Sequence, residues 1–261
     1  MKAWHQMSKT LFMIHGMWVG SWCWDNYRDF FEKAGYHTIA PDLPYHGCGI
    51  MRPDPHLGKT SLRDYFSFIC QEIEKLDEPP IVIGHSLGGL LAQMLAARGM
   101  VEKAVLLTPA APAGIITARP SVLKIFGPIM LLPQFWNRAI PATYPLAKYS
   151  ILNGFDDDLA ARKVFEKIGY ESGRVLFEVG FWALDKNATT YINEQDVQCP
   201  MLILSASEDR IMPASVVFHI WRKYLHCAKY HCLDGFAHWV VGEPNWQDVA
   251  QQVKNWLENE N

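Results

Sequence analysis

A Gly-x-Ser-x-Gly pattern at residues 84–88 places Ser86 between two glycines. A β-branched apolar run, 81–83, comes before it, and a run of strong helix formers, 90–98, comes after it. A serine at the tip of so sharp a turn lies in strained backbone, and the residues two positions before and after it must lack a Cβ atom to fit. The alternative is an ordinary strand-to-helix turn that contains a serine. In this context the pattern predicts that Ser86 is a nucleophile.

Ser86 needs two partners, because a serine hydroxyl is a poor nucleophile until a base takes its proton and a carboxylate orients that base. Asp209 follows the apolar run 201–206, and His238 lies in the loop after the run 229–233. In open α/β sheets, functional groups gather at the carboxyl ends of the strands. We therefore predict that Ser86, Asp209 and His238 converge as nucleophile, orienting carboxylate and general base.

Other titratable residues near these positions have simpler interpretations. His85 is adjacent to the serine, but neighbours on a tight turn point in different directions, which favours a packing or supporting role. Glu208 is the alternative to Asp209 as the carboxylate. Asp234 is interpreted as a solvated or turn-forming residue and His231 as a structural residue in or beside a strand.

No metal or cofactor site is predicted. The histidines and aspartates that could suggest metal ligands have a spacing that fits no helix-based or finger-type site. They are His15, His46, His56, Asp42 and Asp54. The six cysteines are scattered without CxxC pairs or zinc spacing, which favours reduced structural thiols.

The elements that must position these residues are short apolar runs alternating with amphipathic segments. Strands are predicted at 10–14, 37–40, 81–83, 104–107, 201–206 and 229–233. Helices are predicted at 22–34, 61–76, 90–98, 214–224 and 245–257, with Ser61 as an N-cap and Gly35 as a C-cap. This alternation predicts an α/β fold, with a mostly parallel central sheet and helices on both faces.

The alternation stops between residues 111 and 195, where prolines punctuate apolar helical segments. Helices are predicted at 121–132, 157–168 and 171–184, so residues 111–195 are interpreted as a helical cap insertion in a core domain of residues 1–110 and 196–261. A cap over a cleft needs an apolar underside, and we expect a hydrophobic pocket there. The alternative is that these side chains form the insertion's own core or other buried structure. The candidate pocket residues are Trp18, Trp136, Phe181, Trp182 and Trp239.

Composition argues against several classes of function. The 261 residues are 49% hydrophobic and 20% charged, as in an ordinary soluble globular protein. A formal net charge of −3 gives no support for a nucleic-acid partner or an anionic membrane surface. No apolar run is long enough to span a bilayer. Residues 1–9 are polar and lack the apolar core of a signal peptide, so a cytoplasmic location is expected.

The sequence resembles the α/β-hydrolase superfamily over essentially its whole length. The run from His15 to Trp24 is similar to the plant methylesterase and hydroxynitrile lyase branch, and the later chain is similar to uncharacterised bacterial hydrolases. The matching segments are His15-Gly16, residues 41–47, residues 84–89, Glu208-Asp209 with Pro213, and residues 235–238.

The resemblance implies the α/β-hydrolase fold, in which nucleophile, acid and base follow in the order Ser86, Asp209, His238. It also implies an oxyanion hole formed by the backbone N–H groups of Met17 and Leu87. A serine nucleophile implies acyl transfer to water, whereas haloalkane dehalogenases and epoxide hydrolases of this fold attack with an aspartate.

The expected function is hydrolysis of small-molecule carboxylic esters, small to medium in size and with a hydrophobic acyl or alcohol part, through an acyl-enzyme. Thioesters and lactones are alternative substrates, and cofactor-free lyase or perhydrolase activity is an alternative chemistry on the same residues. A non-catalytic ligand-binding protein on a hydrolase scaffold is the alternative from another class. An apolar cap surface could also pair two copies of the chain as a homodimer.

Overall fold

The computed structural model describes residues 9–47 and 53–259. Cys48, one of the six cysteines, and residues 1–8 of the polar N-terminal segment lie outside the described residues. The strands are β1 (Thr10–Ile14), β2 (His37–Ile39), β3 (Ile81–His85), β4 (Lys103–Leu107), β5 (Ala139–Pro141), β6 (Tyr170–Ser172), β7 (Met201–Ala206) and β8 (Ala228–Leu233). The α-helices are α1 (Asp25–Lys33), α2 (Leu62–Ile73), α3 (Leu87–Ala96), α4 (Pro120–Met130), α5 (Tyr144–Ser150), α6 (Asp158–Phe165), α7 (Gly173–Gly180), α8 (Ala214–Lys223) and α9 (Trp246–Asn259).

Six of the strands form one sheet in the order β2-β1-β3-β4-β7-β8. Each pair of neighbours is parallel. All residues of β3, β4 and β7 are buried, because helices pack around the sheet, and this explains why these strands are continuous apolar runs. The predicted α/β fold with a parallel central sheet is confirmed, and the carboxyl ends of β1, β3, β7 and β8 meet at one edge.

The segment 111–195, called the insertion below, contains more than the predicted helices. Its strands β5 and β6 pair as a small antiparallel sheet. The helix predicted at 171–184 was wrong at both ends, because residues 170–172 form β6 and α7 ends at Gly180. Strands of three residues are too short to give a periodic signal. The seven-residue helix α5 has a proline as its second residue, and a proline in a sequence is typical of a helix break.

The N-terminus of α2 ties the insertion to the core. Ser61 caps the helix as predicted, because its hydroxyl accepts the Asp64 N–H at 3.2 Å while the Asp64 carboxylate accepts the Ser61 N–H at 2.7 Å. The Leu62 N–H donates to Glu178 Oε2 in α7, at 2.8 Å. A buried carboxylate of the insertion therefore satisfies a backbone donor that a helix start leaves without an intrahelical partner.

Within the described ranges, no helix is long and apolar enough to cross a membrane. Five thiols in these ranges are free, those of Cys23, Cys70, Cys199, Cys227 and Cys232. Burial raises the pKa of the Cys23 thiol well above its usual range, so this side chain is neutral and packs as a small apolar group.

The connection between β8 and α9 carries a buried carboxylate. Glu243 is 2% exposed, and its two oxygens lie 3.0 and 3.2 Å from the backbone nitrogen of Ala237, whose N–H they accept. Burial raises the pKa of Glu243 to about 7; the Ala237 N–H opposes this rise and the charge of Asp209 adds to it. The folded protein therefore holds a proton on Glu243 that the unfolded chain releases at lower pH.

Glu243→Gln is expected to change the pH dependence of stability. Because the pKa of Glu243 is raised on folding, its protonation contributes stability that is complete below about pH 4.5 and is lost as pH rises through about 7. The amide still accepts the Ala237 N–H but does not ionise. The free energy of unfolding of the variant should therefore exceed that of the wild type by roughly 2–3 kcal/mol at about pH 8 and by little at about pH 4.5. Urea unfolding at both pH values measures these free energies. The same difference between variant and wild type at both pH values would contradict the raised pKa of Glu243.

Candidate active site

Ser86 lies in the sharp turn between β3 and α3. Its backbone has φ 53° and ψ −116°, a region that non-glycine residues rarely adopt. Four backbone hydrogen bonds hold it there: its N–H donates to Leu107 at 3.0 Å, and its carbonyl accepts from Gly89 at 2.9 Å, Leu90 at 3.3 Å and Ala110 at 2.8 Å. Bonds from a strand, a helix and a loop together fix the direction of the Ser86 side chain.

The two glycines of the pattern are required by close backbone approach. A Cβ atom on Gly84 would lie 2.2 Å from the Gly88 carbonyl oxygen, and one on Gly88 would lie 2.0 Å from the Ile14 carbonyl oxygen. Neither neighbour is a flexible side-chain end, so neither position has room for another residue. Both glycines therefore meet the predicted steric requirement for residues without a Cβ atom at these two positions.

The structure brings Asp209 and His238 into contact. His238 Nδ1 lies 2.7 Å from Asp209 Oδ2, and both side chains are buried. The other oxygen, Oδ1, accepts the N–H groups of Ile211 and Met212, each at 2.8 Å. A carboxylate only accepts hydrogen bonds, so Nδ1 of His238 carries the proton and Nε2 is left able to take one.

The alternative residues named from the sequence lie elsewhere. Glu208 and Asp234 are exposed, and it is Asp209 that bonds to His238. His231 lies in a strand, as predicted, and this strand, β8, is at the edge of the sheet. In the part of the chain that the structure describes, no three His, Cys, Asp or Glu side chains converge as metal ligands.

His85 supports the loop that carries His238. Its Nε2 lies 2.8 Å from the His238 carbonyl oxygen and donates to it, and the Thr108 hydroxyl reaches the same oxygen at 3.3 Å. Burial, with the neighbouring His238 ring adding to it, lowers the pKa of His85 to about 3, so His85 is neutral. The supporting role expected for His85 agrees with these contacts.

The loop after β1 lies against the serine. A Cβ atom on Gly16 would lie 3.0 Å from Ser86 Cβ. His15 Nε2 accepts the Leu43 N–H at 2.9 Å, so Nδ1 carries the proton and donates to the Gly16 carbonyl at 2.8 Å. Burial, together with the charge of His46, lowers the pKa of His15 to about 4 and keeps the ring neutral.

The fixed Gly16 carbonyl sets the direction of the next N–H group. In a trans peptide the C=O and the following N–H point in opposite directions, so the Met17 N–H points away from His15. Leu87 is the first residue of α3, where N–H groups have no intrahelical acceptor and carry the positive end of the helix dipole. Met17 and Ser86 border the same two cavities.

These cavities differ strongly in size. The larger has a volume of about 250 Å³ and lies between the core and the insertion, with Met17 and Ser86 in its wall. Its remaining lining is almost wholly apolar and includes Phe126, Ile129, Phe135, Leu176, Val179 and Phe181. The smaller has a volume of about 20 Å³, enough for one water-sized group, and is lined by both Ser86 and His238.

The predicted pocket aromatics divide into three groups. Phe181 lines the larger cavity, and Trp18 and Trp239 line the smaller one. Trp136 and Trp182 line neither of the two. Trp136 is 39% exposed and its ring packs against Phe135, so its position in the chain did not indicate which way it points.

Ile211 and Met212 are among the lining residues from the core that were not predicted from the sequence. They lie two and three residues after Asp209, and their N–H groups bind its carboxylate. Their position after a strand that carries a candidate carboxylate was the available signal, because residues in such loops face the same edge of the sheet.

Comparison with known proteins gives matches over most of the chain. Residues 11–252 match the alpha/beta hydrolase family. Norfluorocurarine synthase 2 of a Strychnos species is 25% identical over 64% of this chain and 74% of its own length. Methylesterase 7 of Arabidopsis thaliana is 30% identical, but only 34% of each chain is covered.

Among solved structures, the monoacylglycerol lipase of Paleococcus ferrophilus has a TM-score of 0.72 with 19% identity, and the match covers 97% of this chain and 95% of the lipase. That likeness shows the fold alone. The family match spans the strands that carry Gly16, Ser86, Asp209 and His238. As the sequence resemblance predicted, the chain belongs to the alpha/beta hydrolase family.

Proposed function

We propose that the protein is a serine hydrolase that cleaves carboxylic esters through an acyl-enzyme on Ser86. The observation that carries the proposal is the 2.7 Å hydrogen bond from His238 Nδ1 to Asp209, beside a cavity that Ser86 and His238 share. That bond orients the imidazole and leaves Nε2 as the proton acceptor. The family match and the methylesterase relative agree with ester hydrolysis.

In the first half-reaction, His238 Nε2 takes the Ser86 hydroxyl proton while Oγ bonds to the ester carbonyl carbon. The carbonyl electron pair moves to its oxygen, and the N–H groups of Met17 and Leu87 bind this oxyanion. When the carbonyl re-forms, the bond to the alcohol oxygen breaks, and that oxygen takes the proton from His238. Water then attacks the acyl-enzyme in the same way, which releases the acid and restores the serine.

The two cavities support an assignment of the two ends of the ester. The alcohol oxygen must lie near His238 to receive its proton, and His238 lines the smaller cavity. The acyl chain then extends into the larger cavity, whose apolar wall suits a hydrocarbon chain. We infer that the preferred substrates have a hydrophobic acyl part and an alcohol part as small as methyl. The alternative substrates are thioesters, lactones and the substrates of cofactor-free lyases or perhydrolases. Activity on each of them is to be compared with activity on these methyl esters.

Fluorophosphonate labelling tests the nucleophile. Wild-type protein should be labelled at Ser86, and Ser86→Ala should not be labelled. Asp209→Asn should react slower by roughly 10³–10⁴-fold, since the imidazole loses the partner that fixes its tautomer. Ser205→Ala is the matched control, because Ser205 is a buried serine that bonds to Tyr230 in the sheet, and it should be labelled like the wild type. Absence of labelling in the wild type would favour a non-catalytic ligand-binding protein.

Methyl esters of straight-chain acids test the acyl cavity. The specificity constant kcat/KM should rise about fourfold for each added methylene, since burial of one contributes about 0.8 kcal/mol, until the cavity is full. Val179→Trp should end this rise at a shorter chain, because Val179 lines the cavity. Leu184→Trp is the control, since Leu184 is 67% exposed and should leave the profile unchanged. A preference for acetyl esters, or for bulky alcohols, would contradict the assignment.

A further inference from the structure

A fully buried carboxylate of the insertion lies behind the loop that supplies Met17. Glu171, in β6, has no exposed surface. Its Oε1 accepts the Tyr65 hydroxyl at 2.9 Å and the Ser172 N–H at 2.6 Å. Its Oε2 accepts the Trp18 N–H and His46 Nε2, each at 3.3 Å. A carboxylate has about four acceptor positions, so these donors occupy all of them.

His46 is the charged partner of Glu171. Its Nδ1 lies 3.1 Å from the Pro44 carbonyl oxygen and its Nε2 lies 3.3 Å from Glu171, and because both partners only accept, both nitrogens carry protons. Burial opposes both charges, but the attraction and hydrogen bond between the two groups raise the pKa of His46 and lower the pKa of Glu171. The pair is ionised, and its Glu171 end binds the loop after β1.

The insertion fixes Trp18 at three points. Besides the bond from its N–H to Glu171, the Trp18 indole N–H donates to the Ile140 carbonyl at 3.0 Å. The Trp18 carbonyl accepts the Gly169 N–H at 2.7 Å. Trp18 has φ 64°, which a non-glycine residue retains only when its surroundings hold it there. All three partners belong to β5, β6 or the residue before β6. The small antiparallel sheet therefore holds Trp18, the residue after Met17, in place.

The two sides of the Met17 N–H are therefore held by different parts of the chain. His15 of the core fixes the Gly16 carbonyl before it, and Glu171 of the insertion fixes the Trp18 N–H after it. We propose that Glu171 is a positioning residue that, through Trp18, holds the Met17 N–H where it binds the oxyanion. This inference rests on the proposed function, and it makes the insertion a part of the oxyanion hole as well as a wall of the substrate cavity.

Glu171→Gln tests the proposal. The amide keeps the shape of the side chain but loses its charge and presents an NH₂ group to donors that need an acceptor. Fluorophosphonate labelling of Ser86 and kcat for a methyl ester should fall at least about tenfold, and up to the ~10²–10³-fold that removal of one oxyanion donor causes. The matched control is Glu178→Gln, since Glu178 is equally buried in the insertion and binds the Leu62 N–H of the core away from this loop. The control should label at the wild-type rate.

Two inhibitors separate positioning from a general structural effect. A trifluoromethyl ketone forms a tetrahedral oxyanion on Ser86, and its inhibition constant should weaken at least about tenfold in Glu171→Gln. A methyl alkyl ether of the same chain length fills the cavity without an oxyanion, and its inhibition constant should stay within about twofold. Equal weakening of both, or of neither, in a folded variant overturns the proposal.

The outcome for the wild type keeps the two proposals apart. If the wild type is not labelled, the proposed function fails; if the wild type and Glu171→Gln label equally, only the role of Glu171 fails. Should Glu171→Gln not yield folded protein, Tyr65→Phe decides, because it removes the hydroxyl that binds Oε1 of Glu171 and so loosens the carboxylate that binds the Trp18 N–H. Labelling of Tyr65→Phe should slow by at least about threefold, and a wild-type rate would overturn the proposal.

Discussion

The backbone of Ser86 is the constraint on which the rest of the site depends. A non-glycine residue at φ 53° and ψ −116° costs about 1–3 kcal/mol and persists only where its surroundings hold it. Here the holding groups come from β4, from the first turn of α3 and from the loop after β4. The order β1-β3-β4 in the sheet then places the end of β1, with Gly16, directly against the serine.

The buried carboxylates of Glu171 and Glu243 differ in pKa because their donors differ. Glu171 is bound by four donors that include a cationic His46, and its pKa is lowered. Glu243 accepts the N–H of Ala237, and burial raises its pKa to about 7. The donors of Glu171 therefore outweigh the effect of burial on its carboxylate, whereas the N–H group at Glu243 does not.

Much of this arrangement was predictable from local sequence patterns. The central strands β3, β4 and β7 are mainly apolar, Gly84 and Gly88 flank Ser86, and Asp209 and His238 each follow a strand, so one parallel sheet brings these segments to one edge. The role proposed for Glu171 was not predictable. It sits in a three-residue strand with no periodic signal, and its partners Trp18, His46 and Tyr65 come from three distant segments. The side-chain directions of Trp136 and Trp182 were not predictable either, because a tryptophan in an amphipathic segment can pack on either face of that segment.

The insertion has two physical roles in this account. Its helices α4 and α7 form the apolar wall of the larger cavity, and its sheet of β5 and β6 holds the loop after β1. On the proposed function, a change in the insertion can therefore alter both which acyl chain fits and how well the oxyanion is bound. In the same proposal, the core supplies the groups that take part in bond making and breaking.

The central claim is that an acyl group is transferred to Ser86, and acid-quenched mass spectrometry tests it most directly. A p-nitrophenyl ester of a hydrophobic acid acylates quickly, so that the acyl-enzyme accumulates before water attacks it. If Ser86 is the nucleophile, the protein gains the mass of the acyl group in place of one hydrogen, and the modified peptide contains Ser86. Turnover with the acyl group on another residue, or with no acylated protein during the burst, would contradict it.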